Sequence, residues 1–302
     1  MSQAAAIRTC PTCGLTTAAR YCAEDQSPTI VAAAPEKGLR EYRTGDLIGH
    51  RYRIIEPLGK GAAAIVFATE HIGTGVPIAV KLLSVDPTDD EGMTAVRRFL
   101  REARVTASLQ HPNTVLVYDA GQDEAGAFFL AMERLSGETL DQVLQRKLIE
   151  DQGMTQAEVI EVALPILSAL DAAHERGLVH RDLKPANIML SLTAQGDEVV
   201  KVLDFGVART AGSMLTRGGQ MPGAPKYMSP EQCRGKQVDG RSDLYSLGCL
   251  LFTCVACRAP YDDREPMRIM QKHVLEPIPD LRKLTKVRLG DAFVELIQSC
   301  LA

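Results

Sequence analysis

The stretch His180-Arg181-Asp182-Leu183-Lys184-Pro185-Ala186-Asn187, followed by Asp204-Phe205-Gly206, decides how this chain is interpreted. It brings two carboxylates, a lysine and an amide close together in the sequence. This order of residue types suits the positioning of a hydroxyl nucleophile against a metal-bound phosphate. The alternative is a polar loop with a satisfied histidine, but a pattern of this length argues against it.

Length and composition describe an ordinary globular protein. The chain has 302 residues, of which 45% are hydrophobic and 24% charged, with a formal net charge of -4. No block of like charges occurs, which argues against nucleic-acid or bulk membrane-surface binding. The N-terminus lacks the features of a signal peptide, and the most apolar run, 244–256, is too short to span a bilayer. The eight cysteines do not resemble a secreted disulfide framework, so we expect a cytoplasmic, reducing location.

The chain divides unevenly along its length. Residues 1–26 hold three of the eight cysteines, and residues 27–50 are rich in Ala, Pro, Gly and charge, which predicts a linker. Residues 51–135 contain short apolar runs separated by Gly and Pro, as strands are. Residues 136–302 are mostly helical in pattern. The sequence therefore predicts an α+β fold with a β-rich N-lobe at 51–135 and an α-helical C-lobe at 136–302.

The individual elements follow from the periodicity of the apolar residues. The predicted strands are 52–55, 65–68, 78–83, 115–118, 128–132 and 199–203. The predicted helices include 96–109, 244–256 and 291–301.

Three features of the N-terminal half fit a triphosphate site. Gly59-Lys60-Gly61 lies between two predicted strands, where glycines let backbone amides approach phosphates, although a plain turn is the alternative. Lys81 ends an apolar strand and needs a partner. Glu102 lies beside the apolar stripe of the following helix and is the candidate partner, with a surface glutamate as the alternative. The pair would hold Lys81 against the α- and β-phosphates.

The helical half supplies the groups for the chemistry. Asp182 is the candidate to orient the acceptor hydroxyl and accept its proton, and Lys184 would neutralise charge on the transferring γ-phosphate. Asn187 and Asp204 would hold Mg²⁺ ions that bridge the phosphates, because magnesium prefers a few hard oxygen ligands.

Over residues 51–302 the chain resembles the eukaryotic-type (Hanks-type) Ser/Thr protein kinases, in particular their bacterial members. Lys184, two residues after Asp182, is similar to the Ser/Thr-specific branch. The resemblance implies a bilobal protein-kinase fold that transfers the γ-phosphate of Mg-ATP to Ser/Thr hydroxyls of protein substrates in bacterial signalling. The motifs that carry it are Gly59-Lys60-Gly61, Lys81, Glu102, His111-Pro112-Asn113, His180 to Asn187, Asp204-Phe205-Gly206, Ser229-Pro230-Glu231 and the run from Asp239 to Gly248.

The same resemblance implies roles for further residues. Met132 resembles the gatekeeper, Glu133 to Leu135 the hinge that hydrogen-bonds adenine, and Asp243 the helix aspartate that anchors the catalytic-loop backbone. Arg181 marks the class that is switched on by phosphorylation of the activation loop. The ATP-binding set implied in this way is Leu58, Gly59, Lys60, Gly61, Val66, Ala79, Lys81, Met132, Glu133, Leu135 and Met189.

Three departures from the family pattern are present. Ala64 stands in place of the third glycine, as in many active kinases. Ala224 stands where the family usually has a threonine that bridges the catalytic aspartate and lysine, so we expect looser geometry there. The chain stops inside the predicted helix 291–301, before the arginine that pairs with the equivalent of Glu231. We therefore expect the final helices to be missing and Glu231 to lack its partner.

The sequence leaves alternatives open for the regulatory phosphosite and for the catalytic activity of the chain. Thr216, in the loop after Asp204-Phe205-Gly206, is the predicted regulatory phosphosite and a target of autophosphorylation, with a plain loop threonine as the alternative. A nucleotide-binding pseudokinase or scaffold is the alternative to an active enzyme. Retention of Lys81, Glu102 and the catalytic-loop residues favours the enzyme.

The N-terminal cysteines predict a metal site. Cys10-Pro11-Thr12-Cys13-Gly14 forms a knuckle in which two thiolates can face one metal ion. Cys22 follows, and Asp25 occupies the position of a fourth cysteine. Residues 1–26 thus resemble a degenerate zinc ribbon of the kind appended to some bacterial kinases, in which Zn²⁺ would staple a segment without a core and which could recruit a partner. The alternative is a tail with free thiols.

The remaining cysteines and two histidines are interpreted as structural. Cys254 and Cys257 share the knuckle spacing but lie in an apolar helix, where cysteine is usually a small hydrophobe. We interpret His174 and His273 as ordinary helix histidines.

Overall fold

The fold is taken from a computed structural model of the chain, in which two compact units are distinguished. One unit comprises Met1–Ser108 and Leu116–Arg134, and the other comprises Leu109–Val115 and Leu135–Ala302. Strands dominate the first and helices the second, as the sequence predicts. The structure describes residues 8–10, 15–19, 21–24, 29–31, 41–61, 64–85, 90–193, 196–205 and 224–302.

A small antiparallel sheet lies at the start of the first unit. The guanidinium of Arg8 donates from Nη2 to the carbonyl oxygen of Thr29 at 3.1 Å, which connects the beginning of this segment to its end. Ordered pairing therefore extends into the predicted linker 27–50. In the order β2-β1-β3, the strands are β1 (Arg8–Thr9), β2 (Thr16–Thr17) and β3 (Ile30–Val31).

A six-stranded antiparallel sheet and one helix follow in the described residues of the first unit. The sheet has the strand order β4-β5-β6-β7-β9-β8. The strand predicted at 115–118 begins later, at Val117, and extends to Gln122. The elements are β4 (Leu47–Ile48), β5 (Tyr52–Lys60), β6 (Ala64–His71), β7 (Pro77–Leu83), α1 (Asp90–Ser108), β8 (Val117–Gln122) and β9 (Phe128–Glu133).

Alternation along β7 divides its side chains between two environments. Ile78, Val80 and Leu82 belong to a buried apolar cluster with Phe67 and Phe129. Because side chains alternate across a strand, Ala79 and Lys81 point to the opposite face. The strand that carries the candidate phosphate-binding lysine is thus fixed by the core on its other side.

The second unit contains six helices and a short three-stranded sheet within the described residues. The sheet has the order β10-β11-β12. Three short 3-10 turns lie at Pro185–Asn187, Pro225–Tyr227 and Leu281–Lys283. The elements are β10 (Gly137–Thr139), α2 (Leu140–Ile149), α3 (Gln156–His174), β11 (Ile188–Leu192), β12 (Glu198–Val202), α4 (Pro230–Cys233), α5 (Gly240–Ala256), α6 (Pro266–Leu275) and α7 (Asp291–Cys300).

Local hydrogen bonds explain where the helices of the second unit begin. Thr139 caps α2 and Thr155 caps α3 through capping boxes, in which the side chain and the third helical residue satisfy each other's backbone amides. Asp239 accepts from the amide of Arg241 and starts α5 at Gly240, earlier than the apolar run at 244–256 indicates. The first turn of α5 therefore consists of polar residues that precede the apolar run.

The segment Leu109–Val115 belongs to the second unit, although its sequence lies within the predicted N-lobe 51–135. The Asn113 side chain donates to the carbonyl of Val200 at 2.9 Å, and the amide of Val202 donates to the carbonyl of Asn113 at 2.8 Å. These hydrogen bonds to β12 explain why the segment Leu109–Val115 belongs to the second unit. No helix among the residues the structure describes is long and apolar enough to cross a membrane.

Candidate active site

Lys81 and Glu102 form an ion pair within the first unit. The Lys81 Nζ lies 2.7 Å from Glu102 Oε1, and the two side chains are only 14% and 17% exposed. The lysine comes from β7 and the glutamate from α1, so the pair links the sheet to its helix. The partner that the sequence predicted for Lys81 is therefore confirmed as a contact.

The glycine-rich segment forms a hairpin between β5 and β6. Gly59 is paired with Val66 and Lys60 with Ile65, and the amide of Gly61 donates to the carbonyl of Ala64 at 2.8 Å. A Cβ at Gly59 would meet no protein atom within 4 Å, so the space around its backbone is open. Residues 62–63 at the tip lie outside the described residues.

The residues predicted to contact adenine are divided between the two units. Ala79 on β7 pairs with Met132 on β9, and the side chains of both are buried. Glu133 is fixed next to them, because its amide donates to the carbonyl of Leu116 while its carboxylate accepts from the amide of Leu116, each at 2.8 Å.

The remaining members of the predicted adenine set have simpler surroundings. Leu58 on β5 is half-exposed, and Val66 lies on β6 in the same unit. Leu135 and Met189 belong to the second unit, where Met189 on β11 pairs with Lys201 on β12. Leu58, Val66 and Met189 are thus carried by strands, whereas Leu135 lies in the connection between β9 and β10.

The catalytic-loop candidates form one hydrogen-bonded cluster in the second unit. The Lys184 Nζ donates to Asp182 Oδ2 at 2.8 Å, and the amide nitrogen of Asn187 donates to the Asp182 carbonyl oxygen at 2.9 Å. The Asp182 and Lys184 side chains are 19% and 26% exposed. The carboxylate is therefore oriented by the lysine yet accessible to a small acceptor group.

Asn187 and Asp204 come from neighbouring segments of one hairpin. The residue before Asp204, Leu203, donates its amide to the carbonyl of Asn187 at 2.8 Å, one residue beyond the β11–β12 ladder. Because the Asn187 nitrogen is directed at Asp182, its side-chain oxygen points elsewhere. An amide oxygen and a carboxylate are the hard donors that Mg²⁺ prefers, so this pair fits the ion.

His180 bridges the loop and the end of β12 in a single tautomer. Its Nε2 lies 2.9 Å from the carbonyl oxygen of Leu203, which can only accept, so Nε2 carries the proton. Its Nδ1 then accepts from the amide of Asp182 at 3.2 Å. The ring also packs against Phe205, with centroids 4.7 Å apart. The histidine thus connects the backbones on either side of Asp182 and Asp204.

Asp243 anchors the backbone of the catalytic loop from α5. Its buried carboxylate accepts from the amides of His180 at 2.8 Å and Arg181 at 2.9 Å. It also contacts His174 Nε2 on α3 at 2.8 Å. Arg181 has a backbone φ of 67°, an uncommon conformation for a residue other than glycine, and the bond to Asp243 helps to hold it.

His174 is a helix histidine as interpreted, and it is also the partner of the buried Asp243. The hydrogen bond and charge of Asp243 raise the pKa of its imidazole above the ordinary value, against the opposing effect of burial. Its position near the end of α3 gave no local signal, because the partner lies 69 residues away in the sequence.

A second tie to the catalytic loop comes from α4 and was not expected. The Gln232 side chain accepts from the amide of Ser229 and donates to the Arg181 carbonyl, both at 2.9 Å. Glu231, which we expected to lack its arginine partner, accepts instead from the hydroxyl of Ser242. Ala224 offers no hydroxyl, but the Lys184–Asp182 bond forms directly without one.

Several predicted residues lie outside the described part of the chain. They are Cys13, Asp25, Gly206 and Thr216. The interpretation of the cysteines in the second unit as structural agrees with the burial of Cys233, Cys249 and Cys254, whereas Cys257 and Cys300 are partly exposed. Burial raises the pKa of Cys233 to about 12 and also raises the pKa values of Cys249 and Cys254, so these thiols remain protonated.

Comparisons with known proteins agree with this arrangement. A family model for the protein kinase domain matches residues 52–302. The chain is 38% identical over 268 residues to the serine/threonine-protein kinase pkn3 of Myxococcus xanthus, covering 87% of this chain and 48% of the relative. It is 39% identical over 240 residues to the serine/threonine-protein kinase PknB of Mycobacterium tuberculosis, covering 77% of this chain and 37% of the relative.

A solved structure shows the same fold. The kinase domain of Mycobacterium tuberculosis PknI matches with a TM-score of 0.63 and 28% sequence identity, over 87% of this chain and 91% of that domain. The chain spans about half or less of the length of the curated relatives it matches.

The raised pKa of His174 predicts how stability depends on pH. Because its pKa in the fold lies above the ordinary value of 6.5, the His174–Asp243 pair contributes in full below that value and is lost as pH rises through the folded pKa. The unfolding free energy of wild type minus that of His174→Gln should therefore shrink as pH rises above about 6.5.

The imidazole C–H resonance of His174 gives the direct check. Its titration midpoint should lie above that of the same residue in the denatured chain. A midpoint below the denatured value, or a stability difference that grows with pH, would contradict the assignment.

Proposed function

Because the chain belongs to the protein kinase family, we propose that it transfers the γ-phosphate of Mg-ATP to serine and threonine hydroxyls of proteins in bacterial signalling. The observation that carries this proposal is the Asp182 cluster, in which Lys184 Nζ and Asn187 Nδ2 both donate to Asp182. A carboxylate oriented beside a cation suits a group that accepts the proton of a hydroxyl close to a phosphate.

The proposed transfer assigns one task to each group. The acceptor hydroxyl oxygen forms a bond to the γ-phosphorus, the bond from that phosphorus to the ADP oxygen breaks, and the hydroxyl proton passes to Asp182. Lys184 stabilises charge on the transferring group, and Lys81, held by Glu102, binds the α- and β-phosphates. Mg²⁺ would be held by Asn187 and Asp204 and would neutralise phosphate charge.

The nucleotide itself is proposed to bind along the first unit. The open backbone at Gly59 and the hairpin that follows it suit close approach of phosphates. Ala79 and Met132 offer a buried apolar surface for adenine. The other proposed members of this set that lie in the first unit are Leu58, Lys60, Gly61, Val66 and Glu133.

Phosphate transfer can be tested with γ-labelled ATP, Mg²⁺ and dephosphorylated casein. Asp182→Asn should lower kcat by at least about a hundredfold, because it removes the proton acceptor. Asp239→Asn, at an exposed helix cap, is the matched control and should remain active. Equal transfer by wild type and Asp182→Asn would contradict the proposal and favour the pseudokinase alternative.

Autophosphorylation is proposed at Thr216, in the loop after Asp204. The Gln232 side chain holds the carbonyl of Arg181. Arg181 belongs to the class of arginines whose guanidinium pairs with a phosphate on this loop. Mass spectrometry of wild type after incubation with Mg-ATP locates the site. The proposed setting is the cytoplasm, where ATP is available and the cysteines of the second unit would remain free thiols.

We also propose a Zn²⁺ site in the N-terminal segment. Cys10 and Cys22 are each only 1% exposed, although the strands of this segment are two residues long and too short to form a core. The Cys10 amide donates to the carbonyl of Leu15 at 2.8 Å. Cys13 and Asp25 are the other proposed ligands, and a protein partner is the proposed role of the segment.

Metal analysis of the purified chain tests this site. We expect about one zinc ion per chain, lost in a Cys10→Ser, Cys22→Ser double variant and retained in Cys257→Ser. Phosphate transfer to casein should survive in the double variant, since none of the proposed catalytic groups is changed. A purified wild type with no zinc, prepared without chelator, would overturn the proposed site.

A further inference from the structure

The side chain of Ser191 on β11 makes two hydrogen bonds to the residue that follows the predicted hinge at 133–135. Its hydroxyl donates to the carbonyl oxygen of Ser136 at 3.0 Å and accepts from the amide of Ser136 at 3.2 Å. Ser191 is only 2% exposed, whereas Ser136 lies at the surface. A buried hydroxyl thus uses both its donor and its acceptor capacity on the backbone of an exposed residue.

The carbonyl of Ser136 is held by backbone pairing as well, but its amide is not. The amide of Leu192 donates to the same carbonyl oxygen at 2.8 Å. Gly137 pairs with Ser191 so closely that a Cβ on this glycine would lie 2.0 Å from the carbonyl oxygen of Leu190. Within the described residues, the Ser136 amide donates to the Ser191 hydroxyl alone. Removal of the hydroxyl therefore frees this amide in particular.

The direction of the Ser136 amide also sets the direction of the Leu135 carbonyl. The two groups belong to one planar peptide unit, and the described chain contains no cis peptide bond. In a trans peptide the N–H and the C=O point in opposite directions. Ser191 therefore turns the Leu135 carbonyl oxygen away from itself. In the described part of the chain, neither backbone group of Leu135 takes part in a hydrogen bond.

Leu135 and Met189 are the members of the implied ATP-binding set that the second unit contributes. Because side chains alternate along a strand, Met189 and Ser191 lie on the same face of β11. The Ser191 hydroxyl thus connects the end of the predicted hinge to the strand that carries Met189. Two groups that would contact adenine are fixed relative to each other within one unit.

We propose that Ser191 is a positioning residue for the nucleobase, whose hydroxyl holds the Leu135–Ser136 peptide in the orientation that ATP binding requires. This inference rests on the proposed nucleotide binding. Without the hydroxyl, the exposed Ser136 amide can turn towards water, so the peptide adopts further orientations. Only the fraction of molecules in the required orientation then binds ATP, and the apparent affinity falls by that fraction.

Removal and replacement of the hydroxyl test this role. Ser191→Ala should raise the KM for ATP and the Kd for the non-hydrolysable analogue AMP-PNP about fivefold, the worth of one hydrogen bond. The kcat and the KM for dephosphorylated casein should change less than about twofold, because the Asp182 cluster is unchanged. Ser191→Thr keeps a hydroxyl on a residue that suits a strand, and should return the ATP KM to within about twofold of wild type.

Thr285 offers a matched control in the same unit. Its hydroxyl also joins two backbone groups, because it donates to the carbonyl of Val255 at 2.7 Å and accepts from the amide of Val287 at 3.0 Å. Thr285→Val removes an equivalent pair of hydrogen bonds at the end of α5 and should leave the ATP KM unchanged. An unchanged ATP KM in Ser191→Ala, equal rises in the Ala and Thr variants, or the same rise in Thr285→Val would overturn the inference.

Amide hydrogen exchange of the wild type gives a check that does not depend on the folding of any variant. In the absence of nucleotide, the Ser136 amide should exchange slowly although the residue is exposed, because it is held by the buried hydroxyl. Exchange of this amide at the rate of an unprotected peptide would overturn the inference. Failure of the wild type to bind AMP-PNP would overturn the proposed nucleotide binding instead.

Discussion

The buried carboxylate of Asp243 is the contact on which the rest of the candidate site depends. It is fully buried and accepts from two consecutive loop amides and from His174. A carboxylate in this position is costly unless its lone pairs are used, and here three donors use them. The donors come from the loop and from α3, so α5, α3 and the loop are fixed together.

This anchor makes an otherwise unfavourable loop conformation stable. Arg181 lies in the left-handed region, which costs about 1–3 kcal/mol for a residue other than glycine. Its amide bonds to Asp243 and its carbonyl to Gln232, so both sides of its peptide units are held. His180 then extends the same rigidity to Leu203 and hence to the start of the Asp204 segment. The carboxylate at 182 and the one at 204 thus share a single hydrogen-bonded frame.

The sequence predicted most of this frame because its signals are local. Alternation in β7 and the apolar stripe of α1 placed Lys81 and Glu102 on facing elements, and their 2.7 Å contact follows. The roles of Asp182, Lys184 and Asn187 came from a compact motif. His174, Gln232 and His273 could not be predicted in this way. Their hydrogen-bond partners lie 69, 51 and 28 residues away in the sequence. Nothing in the local sequence distinguishes the three from other polar helix residues, because their contacts form only when the helices pack.

The most direct test of the account is the turnover number of Asp243→Asn. The amide group replaces one acceptor oxygen by a donor and leaves at least one buried N–H unpaired, at about 1–3 kcal/mol. The account predicts that kcat for casein phosphorylation falls at least about tenfold while the Kd for ATP changes less than about twofold, because the loop and not the nucleotide site is loosened. A folded Asp243→Asn protein with wild-type kcat would contradict it.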